Sequence, residues 1–154
     1  MQELTETKIL DKLKKIVDLI VSNKDIFVEK IENGFALDIP VVYELSTEEG
    51  QAEMRRQFVY ITATRESHEG DEMYQIFTIC APEDERFYSS ALMLNMNLPF
   101  GAIAISEVEG KNYFVLVDTY LAKNCTTSEI EKSVLTLAEA GDRMEKMLVG
   151  LDLC

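Results

Sequence analysis

The stretch GAIAISEVEGKNYFVLVDTYL, residues 101–121, decides the fold. Its residues alternate with the two-residue period of a half-buried strand: Ile103 and Ile105 share one face, and Tyr113, Val115 and Val117 share another. Between the alternating runs stands Glu109-Gly110-Lys111-Asn112, a polar connection with a glycine. The pattern predicts two strands, Gly101–Val108 and Tyr113–Leu121, paired as an antiparallel hairpin. What lies on either side of this hairpin is helical. Downstream, Thr126 and Glu129 form a capping-box pattern, and Ile130, Val134, Leu137, Ala138, Met144, Met147 and Leu148 then recur on one helix face. Upstream, Pro82-Glu83-Asp84-Glu85 has the composition of a first helical turn, and Phe87, Ala91 and Leu94 follow at helical spacing. That helix is predicted to end near Asn95–Asn97, because Pro99 disfavours helical geometry at Leu98.

The first half of the chain extends the same scheme. Ile9, Leu13, Ile16, Val17, Ile20 and Val21 mark an amphipathic helix over Leu4–Ser22. Ile26–Glu29 and Phe35–Ile39 flank Glu32-Asn33-Gly34, where Asn-Gly suits the positive φ of a tight hairpin turn. Val41–Leu45 beyond Pro40 is either a bent continuation at an edge or a separate strand. Ser46–Glu53 reads as a loop, Gln57–Thr64 and Met73–Cys80 as strands rich in β-branched and aromatic residues, and Arg65–Glu72 as their connection. The order helix, strands, helix, hairpin, helix has no βαβ alternation that would demand a parallel sheet. The expected fold is a single α+β domain over residues 1–154, a largely antiparallel sheet packed by N-terminal, middle and C-terminal helices against one face.

Composition bounds the function. The chain has 154 residues, 47% hydrophobic, with 7 Gly and 3 Pro, enough to build a core without disulfides or a structural metal. Its 28 acidic residues against 15 Lys plus Arg give a formal net charge of −13, spread from Glu3 to Asp152. Such a field repels phosphate backbones, so nucleic acid and anionic membrane surfaces are poor partners. The apolar runs are too short for a membrane span, and the acidic start at Glu3, Glu6 and Asp11 is no signal peptide. The expected location is cytoplasmic. Cys80, Cys125 and Cys154 are odd in number and widely spaced, which fits neither a disulfide framework nor a zinc site.

Residues that could carry chemistry are few. His68, the one histidine, sits among Glu66, Glu69, Asp71 and Glu72, but the spacing is not that of a calcium loop and no second histidine joins it. Cys80 ends an apolar strand and reads as core. Cys125 precedes the final helix, whose dipole would lower a thiol pKa. An enzyme using Cys125 or the acidic loop at His68 is therefore one alternative, and an acidic adaptor that captures a basic partner by charge is another. No GxxxxGK[ST] or GxGxxG motif is present, and no cofactor is expected. Arg55-Arg56 and Lys14-Lys15 read as surface charge.

The methionines say more. Met93 and Met96 flank Leu92 and Leu94, making the middle helix apolar on more than one side. A helix covered by a sheet needs one apolar stripe, so the excess points either to a thicker core or to a second buried surface. On the second reading Leu92, Met93 and Met96 form a partner or dimer interface. Ala91-Leu92-Met93-Leu94-Asn95, Gly101–Ile105, Glu109-Gly110, Phe114–Val117 and Ala140-Gly141-Asp142-Arg143-Met144 together resemble the YbjN family, whose members are similar in fold to class I type III secretion chaperones. The resemblance covers roughly the last 70 residues, with the first half matching in element order. It implies a non-enzymatic, dimeric, chaperone-like protein or YbjN-like regulator that binds another polypeptide, and it supplies no catalytic residue.

Overall fold

A computed structural model describes residues 2–22, 24–44, 52–66 and 69–152, with side chains over 8–22, 24–41, 55–63 and 69–146. Helix α1 (Gln2–Val21) is followed by strands β1 (Phe27–Ile31), β2 (Gly34–Glu44), β3 (Ala52–Glu66) and β4 (Glu72–Pro82). A turn of 3-10 helix (Glu85–Phe87) leads into α2 (Tyr88–Asn95), and β5 (Ala102–Val108), β6 (Lys111–Leu121) and α3 (Thr127–Asp152) complete the chain. The strands form one six-stranded sheet in the order β1-β2-β3-β4-β6-β5, every pairing antiparallel. The fold is α+β, as the order of apolar patterns predicts.

The core lies between one face of the sheet and the helices α1 and α3. Leu37 and Ile39 of β2, Val59 and Ile61 of β3, Tyr74 and Ile76 of β4, and Phe114 and Leu116 of β6 meet Leu13, Val17 and Ile20 of α1 and Ile130, Val134 and Leu137 of α3. Hydrogen bonds fasten α1: the Tyr74 hydroxyl donates to the Ile9 carbonyl at 2.8 Å, and Lys12 donates to the Ala122 carbonyl. Thr126 caps α3 through its hydroxyl, which accepts from the Glu129 amide at 3.2 Å.

Of the two readings open at Pro40 the structure takes the continuation: β2 runs unbroken to Glu44, past the start of β1 at Phe27. The Ala63 amide donates to the Asn33 carbonyl, so odd residues of β2 bond to β3 and even ones face β1. The amide that proline lacks would point past Phe27, the first residue of β1, where no partner waits. Pro82 closes β4 opposite Tyr113 rather than opening a helix, and the helical turn begins after Asp84, whose carboxylate accepts from the Arg86 amide. Gly34 belongs to the strand: the β1–β2 turn is Glu32-Asn33, with Asn33 at φ 60°, and a Cβ on Gly34 would lie 1.9 Å from the Ile61 carbonyl oxygen. Ala52 and Glu53 start β3 instead of ending a loop, while residues 45–51 fall outside the described set.

Arg55-Arg56 is more than surface charge. Arg56 bonds Asp38 at 2.7 Å and lies 4.8 Å over the Phe27 ring, and Arg55 reaches Asp142 of α3 at 3.3 Å. Asp142 is only 1% exposed, and its second oxygen has no hydrogen-bond partner. Beside it Gly141 sits so close to β4 that a Cβ would meet Thr78 Cγ2 at 2.7 Å. The Gly141-Asp142 pair thus sets how α3 beds on the sheet, by close approach and by a buried charge.

Candidate functional site

The helix α2 is the least embedded of the three α-helices. Ala91 is its one buried residue, and Tyr88 holds its first turn by an edge-on contact with Phe114, ring centroids 6.1 Å apart. Leu92, Met93 and Met96 are 67%, 70% and 87% exposed. The thicker-core explanation for these residues is therefore wrong: they form an uncovered apolar surface. α2 carries no charged residue along Tyr88–Asn95, so its exposed side is apolar or hydroxylic throughout.

This surface adjoins an open sheet edge. β5 pairs with β6 alone. Asn95, the last residue of α2, turns back on it: the Ile103 amide donates to Asn95 Oδ1 at 2.6 Å, and Asn95 Nδ2 donates to the Ile103 carbonyl at 3.5 Å. Because the polar groups of Ile103 point outward, those of Ile105 and Glu107 do so too, by the alternation of an antiparallel strand. Asn95 covers the first of these three positions. Ile105 is 47% exposed, and the strand has no proline, lysine or bulge to blunt its edge. The Glu109-Gly110 turn, with φ of 51° and 83°, returns the chain to β6 in a two-residue hairpin.

Two apolar hollows flank α2. One, about 290 Å³, lies between Tyr88, Ala91 and Leu92 on the helix and Ile103, Ile105 and Phe114 on the sheet. The other, about 160 Å³, is bounded by Leu94, Leu98, Ile103, Leu116 and Met144, with Arg143 at its mouth. Other charged residues stand around the site. Arg86 clasps Asp84 at 2.6 Å and holds that carboxyl below its usual value, and Glu107 and Glu109 stand at the far end of β5.

The other residues singled out from sequence stand apart from this surface. Cys125 lies at the foot of α3, half buried, and burial pushes its thiol above the ordinary value despite nearby Lys12. The expected lowering by the helix dipole is overridden, because desolvation of a thiolate outweighs the partial charge of the amides. Cys80 is core, its thiol pushed up to about 12 by burial. His68 and Cys154 lie outside the described residues. Among the described residues no three metal-ligating side chains gather, and no helix is long and apolar enough to cross a membrane. What the sequence did not single out is the capping role of Asn95 and the Arg55–Asp142 link. No protein-family model matches the chain, and no curated protein matches it.

Proposed function

We propose that the chain is a non-enzymatic polypeptide-binding module, a chaperone-like or YbjN-like regulator that acts as a homodimer in the cytoplasm, without nucleic-acid or membrane partners. The observation that carries the reading is the apolar side of α2, Leu92, Met93 and Met96, standing beside the unpaired edge of β5.

The free edge suggests the pairing. With Ile103 covered by Asn95, the outward groups of Ile105 and Glu107 remain, and a two-fold axis at Ser106 sets Ile105 of each copy against Glu107 of the other. Both α2 helices then fall on the same face of a continuous sheet. In this register the two Ser106 residues are a non-hydrogen-bonded pair with Cα atoms about 4.5 Å apart, within disulfide range. Ser106→Cys, in a background with Cys125 and Cys154 replaced by Ser, is expected to oxidise to a cross-linked dimer, while Ala102→Cys in the same background stays uncoupled. Absence of the Ser106→Cys cross-link refutes this pairing, and a wild-type monomer at tens of micromolar refutes the dimer itself.

A further inference from the structure

The β1–β2 turn joins two residues that the fold requires for separate reasons. Asn33 is exposed and sits at φ 60°, in the left-handed region that asparagine tolerates better than most residues with a side chain. Gly34 is buried, and a Cβ there would lie 1.9 Å from the Ile61 carbonyl oxygen, so no other residue fits. Together they make the one Asn-Gly dipeptide in the chain; Asn23, Asn95, Asn97, Asn112 and Asn124 precede Lys, Met, Leu, Tyr and Cys. Glycine shields its own nitrogen least, which makes that nitrogen the freest to attack the carboxamide before it. The fold decides when it can. Ile31 and Gly34 are the last pair of the hairpin, and because the Ala63 amide donates to the Asn33 carbonyl at 2.8 Å, the alternation turns Gly34 toward β1. Its N–H therefore donates to the Ile31 carbonyl, and the nitrogen is engaged.

We infer that Asn33 is a deamidation site gated by this hairpin, and that its isoaspartyl product unlatches β1. The reactants are the chain itself and water. When the Ile31–Gly34 pair opens, the Gly34 nitrogen bonds to Asn33 Cγ as its proton passes through water to Nδ2, the Cγ–Nδ2 bond breaks, and ammonia leaves. Water then adds to either carbonyl of the cyclic imide. Opening at Cγ gives an ordinary aspartate, whereas opening at the α-carbonyl gives isoaspartate, in which the chain runs on through Cβ and Cγ and is one atom longer. The second product has two consequences here. The Asn33 carbonyl that holds the Ala63 amide becomes a carboxylate off the main chain, and the extra atom enters a two-residue turn whose next residue, Gly34, is pressed against Ile61. The loss falls on β1. That strand pairs with β2 alone, its residues from Phe27 to Lys30 are exposed, and its start is held by Arg56, which donates to the Asp25 carbonyl at 3.1 Å and covers the Phe27 ring. Its far end is fastened by the Ile31–Gly34 pair.

The test follows the tryptic peptide that holds Asn33 by mass spectrometry in the full chain, folded and in urea, in mildly alkaline buffer, with hydrogen exchange at the Gly34 amide measured on the folded protein. The urea-unfolded chain is expected to gain one mass unit at Asn33 and to yield isoaspartate there, and Asn33→Gly, which keeps the left-handed turn, to show neither. In the folded chain the reaction is expected to be slowed at least about tenfold, and by no less than exchange of the Gly34 amide, since one opening event frees the same nitrogen for both. Equal rates in the folded and unfolded chains overturn the gate, and an unfolded chain that stays unmodified at Asn33 overturns the site. Separating the products tests the latch. The purified isoaspartyl form is expected to exchange the amides of Phe27–Ile31 at least about tenfold faster than wild type, with the rest of the sheet protected, whereas Asn33→Asp, which adds the same charge on an unlengthened chain, keeps wild-type exchange. Unchanged exchange over β1 in the isoaspartyl form, equal acceleration in Asn33→Asp, or loss of protection across the whole sheet overturns the claim that the longer chain releases β1.

Discussion

Replacing Arg55 by methionine removes the one cation among the described residues that pairs with Asp142, a carboxylate 1% exposed with its other oxygen without a hydrogen-bond partner there. Breaking a buried ion pair from one side costs about 3–5 kcal/mol, because the remaining charge stays desolvated. Arg55 is itself 34% exposed, so water already screens part of the attraction, and about 2–3 kcal/mol is the appropriate expectation. At 2–4 °C per kcal/mol for a chain of this size, the melting temperature falls by about 4–12 °C. Urea unfolding at fixed protein concentration measures the cost directly, concentration being held constant because association would contribute to apparent stability. Asp142→Leu alone leaves Arg55 free to swing into water and is expected to cost less than Arg55→Met. The double variant Arg55→Met/Asp142→Leu is expected to recover most of the loss, since two apolar side chains leave no orphaned charge. An Arg55→Met variant within about 0.5 kcal/mol of wild type refutes the claim that this pair fixes α3 on the sheet.

Gly141→Ala places a methyl group 2.7 Å from Thr78 Cγ2 and 3.3 Å from Gln57 Nε2, and despite the better helix propensity of alanine it is expected to destabilise by about 1–3 kcal/mol in the same urea assay. Thr126→Ala removes the acceptor of the Glu129 amide and is expected to cost about 1 kcal/mol. Burial raises the Cys125 thiol, so its thiolate appears only at higher pH than that of an ordinary thiol. Iodoacetamide should therefore alkylate Cys125 in the folded protein more slowly than in the urea-unfolded chain near pH 8, the two rates converging as pH rises; faster reaction in the folded state would revive the thiol-enzyme alternative.

The architecture could be read from sequence because its signals are periodic. The alternation through Ile103, Ile105, Val115 and Val117 and the capped stripe from Thr126 to Met144 each select one element type, and their order excludes a parallel sheet. Misreadings fell where one residue type serves two physical purposes. Gly34 looks like a turn glycine but is required by the approach of the Ile61 carbonyl. Pro82 before three acids looks like a helix start, yet it ends a strand and the helical turn waits for Asp84. At the candidate site, the excess of apolar residues around Met93 could mark a core or an exterior equally well, and only the exposure of Leu92, Met93 and Met96 in the folded chain separates them. The tie from Asn95 to Ile103 spans eight residues through a turn, with no periodicity to signal it. Which side chains become neighbours across the sheet depends on strand order and register, which a single sequence does not encode legibly.

Sedimentation equilibrium of wild type and Met93→Glu/Met96→Glu at tens of micromolar, with circular dichroism on both, tests the proposed association most directly. Both methionines are exposed, so charging them leaves no ion buried and the variant is expected to keep the wild-type spectrum. Wild type is predicted to sediment at twice the 17.5 kDa chain mass and the variant at the chain mass. A wild-type monomer, or a folded variant that remains dimeric, would contradict the assignment of α2 and the β5 edge as the interface.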